Sequence, residues 1–224
     1  MNVLKKIIFF ILFLAGGYIC SAQEISIRGG FNLSQMPTKW EGKVTNKNSE
    51  LKLGYHFGPV FDLKMNKLFS LETGLLYSTK GLRETNKETN GTKSLSKINI
   101  AYIDLPITLK TSFTFHNITI SGDVGGYIAH GLFARYFSSE NTDGTNNSWQ
   151  KIAWGNTGEA IKRLDYGIIL GIGVKIKALQ LGICLENGVA DLVTGDPSSN
   201  RTFNKTYDIY IAYDIWSRIK KNHH

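Results

Sequence analysis

The chain is short of cysteine. Of its two, Cys20 and Cys184, the first lies in a segment read below as a removable leader. What remains holds one cysteine and no internal disulfide. Beyond residue 19 no apolar run approaches the roughly 20 residues of a membrane-spanning helix. Segments with the 3.6-residue period of an amphipathic helix are also missing. Lys and Arg number 26 against 18 Asp and Glu, formally +8. They are scattered, with no basic helix and no aromatic RNA-binding motif, which excludes nucleic acid as a partner. His56 has no companion at metal-ligand spacing, so neither metal nor other cofactor is expected.

The opening residues read MNVLKKIIFFILFLAGGYICSAQ. Lys5 and Lys6 precede an apolar run over 7–19, and Cys20-Ser21-Ala22 is a small-residue cleavage site. That order predicts a secretory signal peptide over 1–22, cut after Ala22. A lipoprotein signal would want Leu near position 17 and a small residue at 19, and the chain has Gly17 and Ile19. Residues 23–224, roughly 200 in number, fit one domain.

What is abundant is alternation. In LKLGYHFGPVFDLKM (51–65) the odd positions to 63 are Leu, Leu, Tyr, Phe, Pro, Phe and Leu, and the even ones Lys, Gly, His, Gly, Val, Asp and Lys. Period two is a β-strand with two unlike faces. Similar stretches occupy 24–34, 68–80, 97–115, 118–137, 161–176, 179–193 and 207–219, giving eight strands. Short connections fall near Asn66, at His116-Asn117 and at Lys177-Ala178. Long polar ones span 35–50, 81–96, 138–160 and 194–206. Short turns at one end and long loops at the other are the habit of outer-membrane barrels. Paired residues must share a face, so strands two and three need an odd turn, and the other two short connections need even ones. Met65-Asn66-Lys67, His116-Asn117 and Lys177-Ala178 satisfy this.

The same alternation would serve a soluble lipocalin-like barrel, with its apolar face lining a ligand cavity. Strand length argues for the membrane: these strands reach or exceed the 9–11 residues that cross a bilayer at a tilt. The polar face carries Arg28, Lys52, Lys64, Lys80, Lys110, Arg135, Arg163 and Lys175. Against these stand Asp62, Glu72, Asp104, Asp123, Asp165, Glu186, Asp208 and Asp214. Balanced charge suits a narrow lumen, where an unpaired buried charge costs several kcal/mol. Glycines 54, 58, 74, 125, 131, 167, 171, 173 and 182 share that face and leave room for long side chains. Tyr55, Phe57, Phe61, Phe69, Tyr77, Phe113, Phe115, Tyr166, Tyr207 and Tyr213 lie on the apolar face, as interfacial girdles require. The expected fold is therefore an all-β, eight-stranded, antiparallel up-and-down transmembrane β-barrel with its apolar face toward lipid.

The phrase YHFGPVFDLKMNKLFSLETGLLYSTKGL, with YIDLPITLK, GGYIAHGL and DYGIILGIGVKI, resembles the PorT-like outer-membrane β-barrel family of Bacteroidetes. The resemblance spans nearly the whole chain after the leader. It implies a closed eight-stranded outer-membrane barrel, and through one namesake a part in type IX protein secretion. Its motifs mark architecture and no catalytic site. One departure is at the end, YIAYDIWSRIKKNHH. Such barrels usually close on an aromatic residue, and eight residues follow Trp216, ending at His223-His224.

The candidate site is the lumen. Arg28, Lys52, His56, Asp62, Glu72, Asp104, Asp123, Arg163, Asp165, Glu186 and Asp208 are expected to form a charge network that fills it. Trp149 and Trp154, in SSENTDGTNNSWQKIAWGNTG (138–158), are candidates for anchoring a partner or the membrane interface. Some small outer-membrane barrels are enzymes acting on lipid A, but His130 lies on the lipid-facing parity without a Ser or carboxylate beside it. The reading is a non-enzymatic, monomeric barrel in outer-membrane lipid, with an envelope or secretion-complex protein as its protein partner.

Overall fold

The computed structural model describes residues 24–40, 43–44, 49–87, 93–139, 149–155, 161–193 and 200–217. The expected leader and its expected cleavage site, and His223-His224, lie outside these. Eight strands form the wall: β1 Glu24–Gln35, β2 Lys52–Lys64, β3 Phe69–Gly74 continued by Leu76–Lys87, β4 Lys93–Phe115, β5 Ile118–Ser139, β6 Leu164–Ile176, β7 Leu179–Gly188 and β8 Lys205–Ser217. Each pairs antiparallel with the next. β1 pairs with β8 over Glu24 to Gln35, which closes the ring. Closure removes both sheet edges and so satisfies the backbone within lipid. The two parts of β3 keep one register against β2, Val60↔Gly74 and Phe57↔Tyr77, so they act as a single strand.

The alternation sorts the side chains as expected. Ile27, Phe31, Leu53, Phe57, Ile107, Ile128, Leu170, Ile183 and Ile209 are exposed on the outer face, while Arg28, Asn32, His56, Glu72, Asp104 and Asp165 are buried on the inner one. A soluble barrel with an apolar cavity would reverse every one of these, and that alternative is set aside. Girdle candidates Tyr55, Phe69, Phe113, Phe115, Tyr166, Tyr207 and Tyr213 face outward.

The short turns obey the parity argument. Asn66 Oδ1 accepts from the Leu68 and Phe69 amides, both at 2.8 Å, which fixes a turn over 66–68, one residue later than read from sequence. Phe115 pairs with Ile118 and Ile176 with Leu179. Both two-residue turns begin with a residue in the left-handed region, His116 at φ 55° and Lys177 at φ 56°.

At the other end the structure departs from the sequence reading. Residues 81–96 were expected as loop, but β3 runs to Lys87 and β4 starts at Lys93. β3, β4 and β5 consequently stand above the rest of the wall. Residues 149–151 add a short strand to β5. Thr38–Trp40, Lys43–Val44 and Asn200–Thr202 form a small separate sheet. β6 begins at Leu164 and not at 161, and β7 ends at Gly188 and not at 193. There is a register slip between β4 and β5: Tyr102 pairs with Gly131 and Ala101 with Phe133, leaving Leu132 as the extra residue of a bulge.

Candidate functional site: a charged lumen with unlike ends

Inward residues build three tiers. Nearest the short turns, Glu24 of β1 accepts from Lys64 of β2 and Lys175 of β6, each at 2.8 Å, and Lys175 also pairs with Asp214 of β8. In the middle, Arg28 Nη2 reaches Glu72 at 2.6 Å. Lys110 bridges Glu72 at 3.0 Å and Asp62 at 3.4 Å, and donates to Gln180 at 3.3 Å. Gln180 donates to the Tyr210 hydroxyl at 2.9 Å, and the Arg28 guanidinium lies 4.1 Å from the Tyr210 ring centroid. Six strands thus meet in one cross-lumen cluster. Glycine makes space for it: a Cβ on Gly182 would overlap the Tyr210 ring.

The upper tier centres on Lys80 of β3. Its ammonium contacts Asp104 at 3.0 Å and Glu186 at 2.7 Å, and lies 4.4 Å from the Tyr127 ring centroid. Tyr127 donates to Asp165 at 3.1 Å, and Asn204 donates to Asp165 at 2.8 Å and to Tyr102 at 3.3 Å. Beside this tier His56 Nδ1 bonds Asn32 Oδ1, and Asn32 donates to Ser78 at 3.1 Å. A lysine with 1 % of its side chain exposed holds its charge only because carboxylates and a ring face replace water around it.

The two ends differ. Toward the short turns the lumen widens into a vestibule of about 800 Å³, lined by Glu24, Lys64, Lys110, Ser121, Lys175 and Asp214 among others. Between the middle and upper tiers the free space shrinks to about 30 Å³, bordered by Arg28, His56, Glu72, Asp123, Cys184 and Asp208. That is room for about one water molecule. Around and above the upper tier lies an apolar cluster of Met36, Ile100, Tyr102, Tyr127, Ala134, Ile161, Ile169 and Leu192, with Leu82, Ile152 and Trp154 packed against it. Met36, Ile152, Ile161 and Leu192 come from connections, so the long loops fold inward and place an apolar plug on the charged lumen.

Most of the sequence-derived candidates meet in this lumen: Arg28, His56, Asp62, Glu72, Asp104, Asp123, Asp165, Glu186 and Asp208. Lys52 is half-buried at the plugged end, its stem beside Gly81. Arg163 is not a lumen residue. β6 starts one residue after it, and its exposed guanidinium lies 5.3 Å from the Trp154 ring centroid. Arg135 is likewise outside, turned there by the Leu132 bulge. With those two removed and Glu24 added, six cations (28, 52, 64, 80, 110, 175) face nine carboxylates (24, 62, 72, 104, 123, 165, 186, 208, 214). Among the described residues the expected balance of charge is therefore not found. Trp154 is part of the plug, against Gly131, and of the two only Trp149 is exposed, its ring tilted against Phe137 with centroids 5.4 Å apart. Tyr102, Tyr127 and Tyr210 were missed. Their signal was an aromatic ring on the polar parity. Met36, Ile161 and Leu192 sit in connections; the sequence reading placed Met36 in a loop and Ile161 and Leu192 in strands, and gave none of them a part in a plug.

Among the described residues no group of three or more His, Cys, Asp or Glu is arranged to hold a metal ion. His130 is exposed on the outer wall, opposite Leu164 and Ile103.

Residues 21–193 match the family described as outer membrane protein beta-barrel domain. The chain is similar to solved structures of the outer membrane protein OprG from Pseudomonas aeruginosa (13 % identity, 88 % of this chain and 98 % of that one, TM-score 0.46). It is also similar to Ail, the attachment invasion locus protein of Yersinia pestis, in complex with the heparin analogue sucrose octasulfate (13 %, 86 % and 98 %, 0.40). A third is Neisserial surface protein A (8 %, 85 % and 97 %, 0.42). No curated protein matches the chain.

Proposed function

Since the chain belongs to the outer membrane protein beta-barrel domain family, we propose that it is a monomeric, non-enzymatic barrel of the outer membrane that works through its ends. Its lumen serves as a structural filling, not as an open pore. The observation that carries this reading is the narrowing to about 30 Å³ between two ion-pair tiers, beneath an apolar plug. An eight-stranded interior is only just wide enough for side chains, and here long ones cross it.

The surface built by β4, β5 and the 149–155 segment is then the part that meets the outside, as loops on rigid scaffolds generally do. The PorT-like resemblance adds an envelope or secretion-complex protein as the partner class. The test places a photo-reactive amino acid at Trp149, exposed, and separately at Ile152, packed in the plug, in cells of the native organism. Crosslinks to one envelope protein from position 149 and none from 152 support the interaction reading. Solute uptake through the reconstituted barrel, with no crosslink from either site, would replace it with transport.

A further inference from the structure

The Leu132 bulge has a consequence on the outer wall. Below it, even residues of β5 face out: Ile120, Val124, Ile128, His130 and Leu132. Above it the odd residues do, so Phe133, Arg135 and Phe137 turn outward together. They join two flanking strands in register. Lys97 pairs with Phe137, which pairs with Trp149; Asn99 pairs with Arg135, which pairs with Lys151. One face therefore holds three cations and three aromatic rings. Lys97 Nζ lies 5.8 Å from the Phe137 centroid and the Arg135 guanidinium 5.6 Å from that of Phe133. Arg135 and Lys151 are directly opposed across the ladder, an arrangement that destabilises a sheet by like-charge repulsion unless an anion sits between. Among the described residues no carboxylate pairs with Lys97, Arg135 or Lys151, whereas Arg83, on the neighbouring β3, has Glu50 at 3.0 Å.

Position selects the anion. The patch continues directly from lipid-facing Ile128 and Leu132 on the same strand. Arg135 is three residues beyond Leu132, roughly 10 Å along the strand. The polar layer of a bilayer adds only about 5–8 Å on each side of the hydrocarbon, and a tilted strand crosses it within that distance. The cations thus stand at headgroup height on the long-loop side, with Phe133, Phe137 and Trp149 as amphipathic neighbours. We propose that this face binds the phosphorylated headgroup of a lipid in that leaflet, the Arg135 fork and the Lys151 ammonium sharing its phosphate and Lys97 flanking it.

The test uses the full chain in neutral detergent micelles, with diphosphorylated lipid A, monophosphorylated lipid A and phosphatidylcholine as probes, read by native mass spectrometry. The expected order is diphosphorylated above monophosphorylated above phosphatidylcholine, with at least a tenfold preference for the first over the last. The double variant R135Q/K151Q, at exposed positions, should fold and lose at least tenfold in affinity for the diphosphorylated lipid. K67Q/K177Q, at the opposite end, should lose none. Equal binding by wild type and R135Q/K151Q would overturn the site. Displacement of lipid A by equimolar inorganic pyrophosphate would overturn the lipid assignment and leave a general polyanion patch.

Discussion

The two ends of the lumen use unlike materials. Beside the short turns, Glu24, Lys64, Lys175 and Asp214 stand around an open vestibule. Beside the long loops, Met36, Ile161 and Leu192 close over Tyr102 and Tyr127. A two-residue turn has no side chains to spare for the barrel interior, whereas a connection of a dozen residues can return some inward. The vestibule pairs can therefore relax against water, and the plugged end cannot. Loss of a charge partner should matter most where water is excluded.

The largest effect is expected at Lys80. Among the described residues Lys80 is the one ion-pair partner of both Asp104 and Glu186, so Lys80→Met leaves both unpaired, and unpairing buried charge costs about 3–5 kcal/mol. Urea unfolding in lipid vesicles should show the loss, and an unchanged midpoint would break the comparison. Next is Leu192→Ala, at a fully buried plug position, with a cost of about 3 kcal/mol. Amide exchange should rise at the long-loop end and stay unchanged around the vestibule. Lys175→Met opens the vestibule tier, where 17 % of the side chain is exposed, and about 1 kcal/mol is expected because solvent takes over the pairing. The smallest effect has the opposite sign. Lys177→Gly relieves a left-handed φ of 56° and should stabilise by about 0.5 kcal/mol, the strain relief exceeding the added chain entropy of glycine.

These sites also show what the sequence carried. Period two is a local property, so the inner and outer faces of β2 and β6, and of β8 as far as Asp214, were legible, and so was turn parity; a bulge at Ile215 turns Trp216 outward against the parity. A bulge adds one residue without changing composition; in GGYIAHGLFARYF its trace is Phe133 and Phe137 on the polar parity, which does not by itself place the slip at Leu132. Arg135 was misplaced for that reason. Arg163 was misplaced because alternation does not mark where a strand begins. The plug lay beyond reach: Met36, Leu192 and Trp154 are brought together by loop paths, and loop paths have no periodicity. The partners of the lumen charges were equally hidden, since parity says which side chains point inward but not at which height they meet.

The central claim, a filled lumen with no open path between its ends, is tested most directly by conductance across a planar bilayer. The purified full-length barrel should insert without producing steady current steps at moderate voltage. R28S/E72S, which removes the Arg28–Glu72 pair from the middle tier and leaves Lys110, Asp62 and Tyr210, should at most introduce brief, small events while the plug remains. Sustained, ohmic steps from the wild-type protein would contradict the account and make the lumen a channel.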